Sequence, residues 1–168
     1  MRKTVHVMFS FCMRIFTSKA VAVVLSIGLG ACAPTRQRAP SDATGGERVA
    51  FYVSRLGDRR YVERGADRDD PVVWHVAAEE LGLIGIGAIP ALISQLRVSS
   101  DDYERQQVFY ALMLAVQHPN AQPSVGQDYP MPAEAYPPAD AHPRLKTAWL
   151  SWWEDHGDAV TAAAGLAR

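Results

Sequence analysis

Cysteine is scarce in this 168-residue sequence, and its two cysteines, Cys12 and Cys32, both lie in the N-terminal part. Residues 33–168 therefore contain no disulfide, no redox cysteine pair and no cysteine-ligated zinc site. The chain also lacks the serine motif of a nucleophile elbow and the glycine-rich loop that binds phosphate. These absences argue against an enzyme.

Metal-binding patterns are lacking as well. His75 and Glu79 are one helical turn apart, as metal or acid–base pairs can be, but the sequence places no third ligand near them. A surface pair is therefore the favoured interpretation. Asp67, Asp69 and Asp70 lack the glycine and the distal glutamate of a calcium loop, so they are expected to form a solvated turn. We expect no metal and no cofactor.

Basic residues are too few for a nucleic-acid-binding surface. The whole chain has a formal net charge of −1, and residues 1–31 contain four basic residues and no acidic one. The chain from residue 32 onward consequently has a net charge of −5. This acidic balance excludes nucleic acid as an expected partner.

The N-terminal segment has the three parts of an export signal. The basic residues Arg14 and Lys19 precede an apolar run, 20–29, which is too short to span a bilayer. The run ends in Leu29-Gly30-Ala31-Cys32, which resembles the lipobox of bacterial lipoprotein signal peptides. The alternative interpretation is that Cys32 is an ordinary small residue near the cleavage site of a soluble secreted protein.

The lipobox resemblance implies cleavage before Cys32, a lipid thioether on its thiol, and acylation, typically with palmitate, of the new amino terminus. Two or more acyl chains attach a protein lastingly, whereas one chain attaches it only reversibly. Ala33 follows the cysteine in place of an aspartate, which by the usual sorting rule implies the outer membrane, with the domain facing the periplasm. The covalent lipid would be the membrane anchor.

The chain is expected to have three regions. Residues 1–31 are the expected signal peptide, and translation is expected to begin at Met13, because 13–19 is a compact positive segment that leads directly into the apolar run. Residues 32–46, rich in Pro, Thr, Ser, Gly and Arg, are an expected flexible tether. Residues 47–168 are long enough for one helical domain.

The first half of this domain has a helical apolar pattern. A first stripe, which ends at Gly57, consists of Val49, Tyr52, Val53 and Leu56. The charged segment 58–70 is expected to be an exposed loop. Asp70 as N-cap and Pro71 in the first turn predict a second helix that runs to about Leu83. Three glycines at the end of this helix favour a break in it: Gly82, Gly85 and Gly87.

A third helix is predicted from Ala88, with a regular apolar face formed by Ile89, Leu92, Ile93 and Leu96. The second and third helices are expected to form a tight antiparallel pair. Residues 70–97 resemble a HEAT repeat of the bacterial kind. This resemblance implies an all-α fold, either a short HEAT-like α-hairpin solenoid or a small helical bundle, that binds proteins.

The second half combines two helices with a proline-rich insertion. Asp101 and Glu104 form a capping-box pattern that opens a central helix through about Gln117. Residues 118–143 contain most of the prolines and are expected to run extended over the surface. A last helix is predicted over 144–156, closed by Gly157 and followed by a short alanine-rich helix.

Aromatic residues are the candidate partner-binding groups. Trp149, Trp152 and Trp153 share one helical face, which favours core packing over a platform for sugars, with Trp153 at the partly exposed edge. Tyr129 and Tyr136 alternate with prolines in the insertion, which makes a stiff ribbon that loses little entropy on binding. The ribbon can pack against its own domain or bind a partner.

The sequence therefore predicts a lipid-anchored scaffold or adaptor domain without catalytic activity, which binds a protein partner in the cell envelope. No small-molecule substrate is expected. A peptidoglycan-binding module that uses the tryptophans and tyrosines is one alternative. Another is an inhibitor or immunity lipoprotein, whose acidic charge suits a basic target.

Overall fold

The computed structural model describes residues 38–65 and 73–165. The predicted all-α fold class is confirmed, as a small helical bundle with a proline-rich insertion. The helices are α1 (Gly45–Val53), α2 (Val76–Ile84), α3 (Ile89–Val98), α4 (Asp102–Gln117), α5 (Gln122–Val125) and α6 (His142–Ala163). Two short strands, β1 (Glu63–Arg64) and β2 (Val73–Trp74), form an antiparallel pair.

Helix α1 begins two residues before the expected start because Thr44 caps it. The Thr44 side chain accepts a hydrogen bond from the Glu47 N–H (3.3 Å), and the Glu47 carboxylate accepts one from the Thr44 N–H (2.8 Å). The N–H of Ala39 donates to the Tyr52 hydroxyl at 3.4 Å, and Ala39 packs against the core. The described part of the expected tether therefore lies against the domain. Residues 1–37, with the lipobox and Cys32, lie outside the described residues.

The expectation of an exposed loop over 58–70 is wrong for residues 61–64. Tyr61 and Val62 are buried, and the next two residues form β1. The expected helix start at Asp70 is also wrong, because Val73 and Trp74 form β2 and α2 begins only at Val76. A β-branched residue followed by an aromatic one favours a strand, although their spacing also fits a helical face. Residues 66–72 lie outside the described ranges.

The expected tight antiparallel pair of α2 and α3 is not formed. Helix α2 packs mainly against α4 and α1, whereas α3 packs mainly against α6 and α4. Gly82 does not break α2, because it lies inside the helix and faces Leu114 of α4, where a Cβ atom would lie 2.5 Å from the Leu114 Cβ. Gly85, with φ of 71°, ends the helix and leads into a 3₁₀ turn, Gly85–Ala88.

Helix α4 is the central helix, as expected. Asp101 is its N-cap and accepts a hydrogen bond from the Glu104 N–H at 3.0 Å. Helix α4 contacts α2, α3, α5 and α6. The fully buried large side chains around it are Leu56, Leu81, Ile89, Leu92, Ile93, Leu96, Phe109, Leu112 and Trp149.

The C-terminal half differs from expectation in two places. The insertion is not wholly extended, since Pro123 lies in the first turn of α5, where proline needs no N–H donor. Helix α6 also does not stop at Gly157 but continues to Ala163 as one helix. Gly157 faces the indole of Trp153, where a Cβ atom would lie 2.7 Å from Cε2, so this glycine serves packing.

One stretch of the described chain, Val76–Val98, is long and apolar enough to cross a membrane by length and composition. It comprises α2, the 3₁₀ turn and α3, and most of it is buried inside the domain. Burial of this kind is typical of core helices of globular domains, so the stretch is weak evidence for a span.

Candidate functional site

The predicted partner-binding residues lie in different surroundings. Tyr129 is half-buried and packs against the core, and Trp153 is half-buried on α6 against Gly157. Tyr136, in contrast, is 37% exposed and folds back onto residues of α4 and the start of α2. The predicted lipidation residue, Cys32, lies outside the described ranges.

Tyr136 completes a cluster of four rings, which we call the tyrosine–histidine cluster: His75, Tyr103, Tyr110 and Tyr136. Tyr103 and Tyr110 are two helical turns apart on α4, so they share one face of that helix. The His75 ring lies 6.1 Å from Tyr103, 6.4 Å from Tyr110 and 5.2 Å from Tyr136 between centroids. Tyr110 and Tyr136 are 4.8 Å apart. Such spacings are those of favourable aromatic pairs.

Hydrogen bonds to the next residue of the insertion hold Tyr136 in place. The Pro137 carbonyl accepts a hydrogen bond from the Gln106 amide at 3.3 Å and lies 3.0 Å from His142 Nε2, which donates to it when that nitrogen is protonated. The buried His142 ring in turn packs edge-on against Phe109, with centroids 5.4 Å apart. The insertion is therefore fixed to its own domain at this point, and Tyr136 belongs to a preformed surface.

The surroundings of the four rings favour their uncharged forms. Burial lowers the pKa of His75 below its usual value. Burial likewise raises the pKa of Tyr103, Tyr110 and Tyr136, and the hydroxyls of the last two share a hydrogen bond. Tyr103 Oη lies 3.4 Å from His75 Nδ1. A neutral cluster of this kind offers ring faces and hydroxyl groups, which is the chemistry of a contact surface.

Glu79 lies beside this cluster without a basic partner. Its half-buried carboxyl has a raised pKa, chiefly because of burial, and the charges of Glu63 and Glu80 raise it further. Glu80 pairs with Arg48 at 3.6 Å, and Glu63 lies 4.0 Å from Arg38. Among the residues that the structure describes, no Lys, Arg or His side chain forms an ion pair with Glu79.

The expected pair of His75 and Glu79 takes a different form. His75 is the N-cap residue of α2, and the Glu79 carboxylate accepts a hydrogen bond from its backbone N–H. The His75 ring points instead toward the tyrosines. The charge of Glu79 also acts on the hydroxyl groups of Tyr110 and Tyr136, where it contributes to their raised pKa after burial.

Strand β2 directly precedes His75 and carries two exposed apolar side chains. Val73 and Trp74 are 40% and 42% exposed, although both are large apolar residues. Trp74 lies directly opposite Glu63, so the two side chains share one face of the strand pair. Exposed apolar groups next to polar ones are typical of interaction sites. We define the aromatic surface as the group Trp74, His75, Glu79, Tyr110 and Tyr136.

A small void lies behind the cluster. Its volume is about 10 Å³, and its walls include His75, Tyr103, Tyr61 and Gln107. Gln107 is buried, and neither its amide nitrogen nor its amide oxygen has a hydrogen-bond partner among the residues that the structure describes. Sequence reasoning missed Gln107, Tyr103 and Tyr110. The seven-residue spacing of the two tyrosines was the available signal, since it places both on one face of α4.

No group of three or more His, Cys, Asp or Glu side chains in residues 38–65 and 73–165 could hold a metal ion. The residues of the aromatic surface thus offer stacking, hydrogen bonding and one negative charge. No family model matches the chain, and neither a curated protein nor a solved structure is significantly similar to it.

Proposed function

We propose that this chain is a lipid-anchored protein-binding domain of the bacterial envelope, which acts as a scaffold or adaptor without catalysis. The anchor is the lipid on Cys32, and the domain faces the periplasm from the outer membrane. The observation that carries the binding role is the exposed, preformed aromatic surface, in which Trp74 and Tyr136 are accessible, whereas the other aromatic side chains of the described residues are buried or half-buried. Aromatic residues are enriched in the centres of protein interfaces.

The peptidoglycan-binding alternative is less well supported. It relies on Trp149, Trp152 and Trp153 of α6 and on the tyrosines of the insertion, but Trp149 and Trp152 are buried and pack on each other with centroids 5.5 Å apart. Trp153 and Tyr129 are half-buried. Buried rings offer no face to a sugar. The inhibitor or immunity alternative is a special case of protein binding, and the unpaired Glu79 favours it because such a group suits a basic target.

Anchoring is tested by the variant Cys32→Ser in cells fed with an alkyne analogue of palmitate. We expect the unmodified chain to carry the label and to sediment with the outer membrane. The variant should carry no label and should appear in the soluble envelope fraction. A variant that remains in the outer-membrane fraction to the same extent would refute the lipid anchor.

Protein binding is tested by a photo-crosslinking amino acid placed at position 74 of the full chain in living cells. The matched control carries the same amino acid at Leu83, which is 68% exposed on the outer face of α2. We expect a discrete crosslinked protein from position 74 that the substitution Tyr136→Ala weakens. The proposal fails if position 74 yields no crosslink, or only the products that position 83 also yields.

A further inference from the structure

Glu79 is the negative group of the aromatic surface that the described part of the domain leaves without a counter-charge. Its two acidic neighbours have arginine partners, whereas no described basic side chain pairs with Glu79. A half-buried carboxylate without a counter-charge is less stable than a paired one, because the surrounding protein screens it less than water does. This position therefore favours the arrival of a cation from outside.

The rings around Glu79 favour a flat organic cation over a metal ion. Tyr110 and Tyr136 feel the charge of Glu79, and their ring faces are negative by virtue of the π electrons. Trp74, a residue type whose face attracts cations more strongly than tyrosine or phenylalanine, is 42% exposed and directly precedes His75 in the chain. The tyrosine rings offer no strong metal ligand, and a metal ion would need several carboxylate or imidazole ligands.

The domain already pairs arginine with aromatic rings at two other places. The guanidinium of Arg55 lies over Phe51 at 4.6 Å from the ring centroid, and that of Arg59 lies over Tyr103 at 4.8 Å. A guanidinium can stack on a ring while its N–H groups donate two parallel hydrogen bonds to one carboxylate. An ammonium group has no such plane.

We propose that the aromatic surface binds a guanidinium group, the side chain of an arginine on the protein partner, with Glu79 as its carboxylate and the rings of Tyr110 and Tyr136 as its contact surface. This inference rests on the proposed protein-binding function and specifies the chemistry of the partner. The acidic charge of residues 32–168 steers a basic segment toward the domain.

The test uses the full chain in detergent micelles and the peptide acetyl-Gly-Arg-Gly-amide, titrated by NMR on the backbone amide signals of Glu79, Tyr110 and Tyr136. Two comparison peptides carry citrulline, which has nearly the same shape without the charge, or lysine. We expect saturable binding of the arginine peptide, with citrulline at least tenfold weaker and lysine weaker than arginine. Equal binding of the citrulline peptide, equal or tighter binding of the lysine peptide, or no binding of the arginine peptide overturns the proposal.

The variant Glu79→Gln should weaken binding of the arginine peptide about tenfold, which corresponds to about 1.4 kcal/mol. The matched control Glu154→Gln removes the same charge from an exposed position on α6 and should leave the affinity unchanged. Far-UV circular dichroism checks that both variants retain the fold. Equal affinity of Glu79→Gln and the unmodified chain refutes the role of Glu79.

The outcomes for this site and for the proposed function are distinguishable. If the crosslink from position 74 persists in Glu79→Gln at full strength, protein binding stands and the guanidinium site is refuted. If the arginine peptide binds through Glu79 but position 74 yields no crosslink in cells, the guanidinium site stands and the proposed protein-binding function is refuted.

Discussion

The substitution Gly82→Ala separates the helical preference of a residue from its packing. In an exposed helix interior, replacing glycine with alanine stabilises a protein by about 1 kcal/mol, because glycine loses more conformational entropy on folding. At position 82 the new Cβ would lie 2.5 Å from the Leu114 Cβ and 3.1 Å from its Cδ1. The Leu114 Cβ is attached to the backbone of α4, so only a movement of α2 away from α4 relieves the contact.

The packing effect should outweigh the helical preference. Overpacking a well-packed core costs about 1–3 kcal/mol, and so short a contact with an immobile atom places Gly82→Ala near the upper end. After the gain of about 1 kcal/mol from helical preference is subtracted, the net loss of unfolding free energy is about 2 kcal/mol. For a domain of this size, such a loss lowers the melting temperature by about 8 °C.

The assay is urea unfolding of residues 36–168, followed by the fluorescence of the buried Trp149 and Trp152. The matched control is Gly46→Ala, because Gly46 lies in α1 with no atom within 4 Å of the position of a new Cβ. Gly46→Ala should leave stability unchanged or raise it by up to about 1 kcal/mol. If Gly82→Ala stabilises the domain as Gly46→Ala does, the inferred close approach of α2 and α4 is wrong.

Three further substitutions test other parts of the structure. Asn120→Ala removes two hydrogen bonds of 3.0 Å: the Ile86 N–H donates to the Asn120 side-chain oxygen, and the Asn120 side-chain amide donates to the Ile84 carbonyl. Thermal unfolding should show a loss of about 1–2 kcal/mol in the free energy of unfolding, and no loss would show that the turn does not need this side chain. Gln107→Met removes an amide without partners, so urea unfolding should show unchanged or higher stability, whereas a clear loss would show that the amide is hydrogen-bonded in solution. Because burial lowers the pKa of His75 in the folded state, the unfolded state binds more protons below about pH 6.5, and stability should fall between about pH 7 and pH 5. His75→Phe should show a smaller fall over that range, and an equal fall would contradict the burial of the ring.

The sequence predicts the helices better than their partners. Helices α3 and α4 follow from apolar spacing and from the N-cap Asp101, which are local features. Pairing is not local. Their closeness in sequence predicts that the apolar faces of α2 and α3 pack on each other, but Gly82 allows α2 to approach Leu114, and α3 packs against a helix that begins more than forty residues later. Spacing along the chain carries no information about such a choice.

Strand β2 shows a second limit. Val73 fits the helical face that continues at Ala77, so periodicity extends the helix too far toward the N-terminus. The partner of β2 is β1, and a pair of two-residue strands has too short a pattern to be recognised from sequence.

The site was predictable only in part. Tyr136 could be selected because tyrosine among prolines makes a stiff ribbon, and it does reach the aromatic surface. Its neighbours His75, Tyr103 and Tyr110 come from two other elements, and their proximity depends on the path of the whole insertion. The sequence alone indicates a surface residue at Glu79. Only the structure shows that the arginines near it, Arg38 and Arg48, pair with Glu63 and Glu80 and that no described basic side chain pairs with Glu79.

The pairing of α2 and α3 with later helices has a consequence during synthesis. The apolar stretch Val76–Val98 leaves the ribosome well before α6, the helix that covers α3. Until α6 has emerged, the nascent chain exposes a segment with the length and hydropathy of a membrane span, and such a segment is prone to aggregate or to enter a bilayer. We therefore expect folding of this domain during synthesis to respond to the presence of a chaperone and to the rate at which the chain is completed.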